Sequence, residues 1–276
     1  MSADMPALER VRSALFLPAS NPRAVAKARG LAADLVMLDL EDAVAEEAKP
    51  AARQAVVEAA GEGGWPALLA ARVNAADSAH QADDLAALAG VTGLDLIVVP
   101  KVEAAADAAR VADRLGLPVL AMIETPAGLY AARDIAAAAG VAGLIAGTND
   151  LAAALRLPPG AGRAPLALAL QTILLAARAA GGIALDGVWN RLDDPDGFAA
   201  ECGEGRALGF DGKTLIHPSQ VEPCNRLFGP SAEELEEARA LVEAFGGGAE
   251  RFRGRMIEAM HVASARRLIA RSGSTA

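Results

Sequence analysis

Short apolar runs recur along the chain, each bounded by turn residues or by charge. They are Ser13–Pro18 (SALFLP), Leu35–Leu40 (LVMLDL), Ala71–Asn74 (ARVN), Leu96–Lys101 (LIVVPK), Val119–Glu124 (VLAMIE), Ala142–Gly147 (AGLIAG), Ala184–Trp189 (ALDGVW) and Lys213–His217 (KTLIH). The apolar positions do not alternate with polar ones, so each run reads as a strand buried on both faces. Alanine-rich segments with helical spacing lie between most of them. SAHQADDLAALAG and VEAAADAARVADRLG are examples, each closed by a glycine stop. Eight such β/α units, roughly 30 residues each, predict an α/β fold of the TIM (β/α)8 barrel type. An open doubly wound sheet is the alternative, but the chain has no GxGxxG or GxxxxGKS/T fingerprint to support it.

The pattern changes after the eighth run. Ser231–Phe245 (SAEELEEARALVEAF) reads as a capped helix, with Ser231 three residues ahead of Glu234 in a capping-box arrangement. A glycine cluster follows, then RGRMIEAMHVASARRLIARSG. The expected division is therefore a barrel over residues 1–228 and a C-terminal helical extension over 229–276, packing at the barrel mouth or on a neighbouring subunit.

Polar residues gather where these strands end. Asp39, Glu41 and Asp42 follow the second run, Arg72 and Asn74 close the third, and Lys101 and Glu103 follow the fourth. Glu124 ends the fifth, Asp150 follows the sixth, Asp186 and Asn190 flank the end of the seventh, and His217 ends the eighth. In a parallel barrel all these ends share one face, where such enzymes place their chemistry. Glu124 and Asp150 are lone carboxylates one β/α unit apart. Two hard oxygen ligands, completed by water and substrate, suit Mg²⁺. No HxH, HExxH or cysteine cluster points to zinc. Arg72 offers a charged planar fork to a carboxylate or a developing oxyanion. Simpler readings stand beside these. Lys101 and Glu103 suit a surface ion pair, Asp39 and Asp42 suit helix capping or bracing, and His217, before a proline, suits a structural role. Met256, Met260 and the two cysteines suit packing.

Composition narrows the class. The chain has 276 residues, 53% hydrophobic but only 3% aromatic, so the core is aliphatic. A net charge of −9 without a dense basic block argues against a nucleic-acid surface. Cys202 and Cys224 form no CxxC motif, and the expected setting is reduced and cytoplasmic. The N-terminal segment lacks the apolar core of a signal peptide, and no uninterrupted apolar stretch is long enough for a membrane span.

Several of these segments, in one order, carry a resemblance. LDLEDAV, RVN, VVPKVE, IETPAGL, AGTNDLA and LGFDGKTLIHPSQV make the sequence similar to the citrate lyase β-subunit-like family, within the HpcH/HpaI-type aldolases. The resemblance spans nearly the whole chain. It implies a TIM-barrel, Mg²⁺-dependent carbon–carbon lyase acting on citryl, citramalyl or malyl thioesters of coenzyme A or an acyl carrier protein. Some relatives are hydrolases. It places the metal ligands on Glu124 and Asp150 and the substrate-binding arginine on Arg72, with Glu124 and Asp186 also facing substrate. It places coenzyme A phosphate contacts near Arg23 and Lys27. Asp39, Glu41 and Asp42, by their own position at the strand ends, are expected to brace the site from behind.

The resemblance also implies a homo-oligomer, trimer or hexamer, in which an acid/base aspartate of a C-terminal MID motif crosses a subunit interface. This chain reads MIE, with Glu258 at that place. The longer side chain leaves three expectations open: a lyase, a thioesterase using the same metal site, or a non-catalytic ligand-binding or complex-forming subunit.

Overall fold

The computed structural model describes residues 5–272. Eight parallel strands close into a barrel in chain order: β1 (Ser13–Pro18), β2 (Leu35–Asp39), β3 (Leu68–Arg72), β4 (Leu96–Val99), β5 (Val119–Ile123), β6 (Val141–Ala146), β7 (Ile183–Asp186) and β8 (Gly212–Leu215). β1 pairs with β8 to close the ring, Ser13 opposite Lys213 and Leu15 opposite Leu215. Each expected run contributes a strand. The third begins at Leu68 rather than Ala71, because Leu68, Leu69 and Ala70 extend the ladder against Leu35, Val36 and Met37.

The helices are α1 (Met5–Leu8), α2 (Pro22–Ala28), α3 (Lys49–Glu62), α4 (Gln81–Leu88), α5 (Ala105–Leu115), α6 (Pro126–Ala136), α7 (Thr148–Ala154), α8 (Ala167–Ala179), α9 (Pro195–Leu208), α10 (Val221–Phe228), α11 (Ala232–Ala244) and α12 (Ala259–Arg271). Local chemistry sets several of their ends. The Thr125 hydroxyl accepts the Gly128 N–H at 3.0 Å at the start of α6, with Pro126 in the first turn. Gly116 stops α5 in the left-handed conformation, φ 67°. The capping box expected for α11 is present: Ser231 Oγ accepts the Glu234 N–H at 3.1 Å, and the Glu234 carboxylate accepts the Ser231 N–H at 2.7 Å.

Two apolar layers hold the barrel. The inner one fills the ring with residues such as Met37, Val98, Leu120, Ile145 and Leu185. The outer one packs the other strand face, including Val36, Ile97 and Leu144, against helix residues such as Val56, Val111 and Ile173. Strands buried on both faces explain the absence of alternation in the sequence.

The C-terminal extension forms a cluster of its own. Leu241 of α11 packs with Ile257, Val262 and Ile269, and an antiparallel hairpin of β9 (Glu250–Phe252) and β10 (Arg255–Ile257), not anticipated from sequence, joins the two helices. The extension does not cover the barrel mouth of its own chain. Arg206, in the last turn of α9, holds Glu234, and Arg271 of α12 reaches Asp211 just ahead of β8. Both contacts lie at the opposite, N-terminal face of the barrel. Met256 and Met260 are exposed, at 69% and 62%, rather than packed as expected, because they flank the start of α12 where none of the described residues covers them. The outermost parts of the expected 1–228 and 229–276 segments, and part of the N-terminal stretch considered for a signal peptide, lie outside the described residues. Among the described residues no helix is long and apolar enough to cross a membrane.

Candidate active site

The strand ends converge on a cavity of about 310 Å³ at the barrel mouth. Its polar lining includes Asp39, Asp42, Arg72, Glu124 and Asp150, with Phe16, Met122 and Ile216 supplying apolar wall.

Register brings the first pair together. Asp39 ends β2 directly opposite Arg72, which ends β3. The guanidinium donates Nε–H to Asp39 Oδ1 at 2.7 Å and Nη2–H to Oδ2 at 2.5 Å, a bidentate fork on a fully buried carboxylate. Nη1 lies 2.9 Å from Glu41 Oε2, an ion pair without hydrogen-bond alignment. The Phe16 ring stacks on the guanidinium at 4.6 Å. Burial opposes the Arg72 charge, but Asp39, then Glu41 and Glu124, outweigh it and raise its pKa above the ordinary value. Arg72 is therefore a fixed cation with part of its edge on the cavity.

Glu41 bridges two cations. Its Oε1 accepts from Lys101 Nζ at 2.6 Å, while Asp42, exposed at the rim, lies 3.4 Å from the same ammonium. Burial raises the Glu41 pKa, against the pull of Arg72 and Lys101. Glu103 is exposed.

Glu124 sits just past β5, 4% exposed. The backbone N–H of Lys101 donates to its Oε1 at 2.6 Å, from a residue held at φ 49°. A lysine in the left-handed region carries strain of order 1–3 kcal/mol, and here that conformation aims the N–H at the carboxylate. Oε2 accepts no hydrogen bond among the described residues, and neither does the Asp150 carboxylate in the first turn of α7. Burial, then the charge of Glu41 and to a lesser degree that of Asp150, push the Glu124 pKa up to about 7, with the Lys101 N–H opposing them. Gly147 backs this carboxylate closely: a Cβ there would stand 2.5 Å from Glu124 Oε2.

Two open carboxylate edges facing one cavity, one of them destabilised by like charge, fit a divalent cation. Among the described residues no cluster of three or more His, Cys, Asp or Glu side chains is arranged to hold a metal. Two protein oxygens with water and substrate completing the shell is the sparse coordination Mg²⁺ accepts.

Other expected residues lie elsewhere. Asp186 is not on the cavity. It is fully buried, with Oδ1 taken by Arg163 Nη2 at 2.8 Å and by the Gly187 N–H at 2.8 Å, and Oδ2 3.3 Å from Lys213 Nζ. That cluster, completed by Glu201 at 2.6 Å from Lys213, leaves the carboxylate no edge for substrate. Asn74 is buried too, accepting Lys49 Nζ at 2.8 Å and donating to Asp84 at 2.6 Å. Asn190 crosses the rim to Asn149 at 2.7 Å. His217 Nδ1 accepts the Ser219 N–H, a local cap. Arg23 and Lys27 are exposed on α2, which starts at the mouth side after β1, but neither lines the cavity. Glu258 is the N-cap position of α12, exposed and outside the cavity; its N–H donates to His261 Nδ1 at 3.0 Å and its carboxylate makes no ion pair among the described residues. Cys202 and Cys224 are buried free thiols.

Sequence reasoning missed Phe16, Arg163, Lys49 and Lys213. The lysine of KTLIH inside a buried run was a visible signal, since a charge in a doubly buried strand needs a partner.

Comparisons with known proteins agree with this fold. The family model described as HpcH/HpaI aldolase/citrate lyase matches residues 12–218, and one described as a C–C bond lyase of the TIM-barrel fold matches 164–274. A (3S)-malyl-CoA thioesterase of Cereibacter sphaeroides is 42% identical, the match covering 96% of this chain and 95% of the relative. A citrate lyase subunit beta-like protein of Mycobacterium tuberculosis is 40% identical, the match covering 94% of each chain. A crystal structure of CitE from M. tuberculosis, in complex with magnesium, acetoacetate and coenzyme A, superposes with a TM-score of 0.82 at 37% identity, over 97% of this chain and 100% of that one. The chain belongs to the HpcH/HpaI aldolase/citrate lyase family.

Proposed function

We propose that the protein is a Mg²⁺-dependent carbon–carbon lyase that cleaves a malyl, citramalyl or citryl thioester of coenzyme A to an oxo acid and an acetyl thioester. The observation that carries this reading is the pair of open carboxylates, Glu124 and Asp150, on one cavity with the Arg72 guanidinium that Asp39 pins. When bound there, Mg²⁺ supplies Lewis acidity toward the carboxylate and hydroxyl oxygens of the substrate.

The chain's own residues account for the rest. Lys101 N–H holds Glu124 Oε1 and so leaves Oε2 for the ion. Arg72 offers its cavity edge to the oxygen that gains charge as the carbon–carbon bond breaks and its electron pair passes to the thioester. Asp39, Glu41 and Phe16 keep that guanidinium from turning with the substrate. The substrate hydroxyl gives up its proton as its oxygen becomes the oxo group, and the enolate carbon takes one, so the proton count of the cleavage closes. Glu258 is the candidate donor, and since its own chain holds it away from the cavity, a second copy brings it. That assignment requires a homo-oligomer, with a trimer or hexamer as the expected state. Arg23 and Lys27, on the mouth side, are positioned for the phosphates of coenzyme A or of an acyl carrier protein's arm. The two buried thiols accord with a cytoplasmic location.

A second reading is hydrolysis of the same thioester, favoured by the 42% identical malyl-CoA thioesterase. Incubation of the protein and Mg²⁺ with malyl-, citramalyl- and citryl-CoA separates the two. Oxo acid with acetyl-CoA establishes the lyase; free coenzyme A without acetyl-CoA establishes the hydrolase. No product from any of the three sinks both for coenzyme A substrates.

A further inference from the structure

On the face opposite the mouth, α12 closes a second cavity, of about 460 Å³, against the barrel floor. Four guanidinium groups line it: Arg10 ahead of β1, Arg178 in the last turn of α8, and Arg267 and Arg271 on α12. Two carboxylates, Glu9 and Asp211, border the same space.

The carboxylate side is largely spent. Asp211 Oδ2 accepts the Ala184 N–H at 2.8 Å and lies 2.8 Å from Arg178 Nη1, and Oδ1 lies 3.0 Å from Arg271 Nη1. Two arginines thus share one acid. Burial, with Arg178 and Arg206 adding repulsion against the pull of Asp211, holds the Arg271 guanidinium below its ordinary pKa. Glu9 is exposed and pairs with no cation among the described residues. The Arg10 guanidinium has no hydrogen-bond or ion-pair partner among them either, and that of Arg267 reaches only Ser264 Oγ, at 3.0 Å. The surplus of positive charge is local, since the whole chain carries −9.

The arginines approach from three separate elements, so a planar carboxylate would meet only some of them. A tetrahedral oxyanion presents acceptors in several directions and matches converging forks. The volume suits a small ligand. We propose that this cavity binds a small phosphate-class anion of two or more charges, which completes the coordination of Arg10 and Arg267 and ties α12 to the barrel floor. The inference is independent of the chemistry at the mouth.

The test is calorimetric titration of the full chain with inorganic phosphate and with pyrophosphate, in phosphate-free buffer containing EDTA. Saturable binding of at least one probe is expected. The Arg10→Ala/Arg267→Ala variant, altered at positions that hold no part of the fold together, should bind about a hundredfold or more weakly, the loss of two charge-assisted contacts at roughly tenfold each. The Arg23→Ala/Lys27→Ala variant, which removes the basic pair near the mouth, should bind as wild type. Hydrogen exchange across Ala259–Arg271 should slow when the anion is bound. Absence of saturable binding at millimolar probe overturns the proposal. So does binding that survives the floor variant, is lost in the mouth variant, or leaves exchange in α12 unchanged.

Discussion

Replacing Gly147 by alanine adds one methyl group behind the metal carboxylate. The backbone there has φ −87° and ψ 75°, which alanine tolerates, so the effect is steric alone. The new Cβ would lie 2.5 Å from Glu124 Oε2 and closer still to Glu124 Cβ. Ordinary contacts need about 3.5 Å, so Glu124 must retreat by on the order of 1 Å. A rotamer change moves Oε2 but not Cβ, so the end of β5 must shift as well. Overpacking of this kind costs about 1–3 kcal/mol. Displacing a reacting group by about 1 Å costs roughly a hundredfold in rate. Gly147→Ala should therefore fold with a somewhat lower Tm, bind Mg²⁺ at least several-fold more weakly, and turn over about a hundredfold more slowly. Thermal unfolding, Mg²⁺ calorimetry and product formation measure the three. Wild-type Mg²⁺ affinity and turnover would refute the packing of Gly147 against a metal-holding Glu124.

Asp39→Asn removes the charge that pins Arg72. It should cost about 2 kcal/mol in chemical denaturation and raise KM, while Mg²⁺ affinity falls only modestly. Because Glu124 titrates at about 7, protons compete with the cation, and Mg²⁺ affinity should fall about tenfold per unit as pH drops below 7. Its raised pKa also gives the EDTA-treated protein a stability contribution, present in full below the unfolded carboxylate pKa and lost as pH rises through about 7. Glu124→Gln should abolish that dependence in pH-resolved denaturation. Lys213→Met leaves Asp186 and Glu201 with only Arg163 to balance them and should cost about 3–5 kcal/mol, with Mg²⁺ affinity of the folded protein unchanged. Glu258→Gln should slow turnover without altering Mg²⁺ affinity. Equal turnover would remove Glu258 from the chemistry.

The barrel was legible because its signals are local. A doubly buried strand has no polar face, so apolar runs mark strands, and the first charge after each run marks the mouth. Glu124, Asp150 and Arg72 were found that way, as the polar residues that end or follow their runs. Asp186 follows the same rule and yet points elsewhere, because the last residue of a strand still alternates between the barrel interior and the helix layer. Its partners Arg163 and Lys213 lie on other β/α units, beyond the reach of any local pattern. The Asp39–Arg72 fork depends on the register between β2 and β3, which a run of apolar residues does not specify. The tail was legible as a helix with its capping box, but where it docks depends on the Arg206–Glu234 and Arg271–Asp211 pairs, which are tertiary.

The account rests on Glu124 and Asp150 holding one divalent cation beside Arg72. Anomalous diffraction from a crystal loaded with Mn²⁺ tests that placement most directly. One strong peak within about 2.2 Å of an oxygen of each carboxylate, on the Glu124 Oε2 side, is the predicted result. A peak elsewhere at the mouth, on Asp39 and Asp42 for example, or no peak in the cavity, would contradict it.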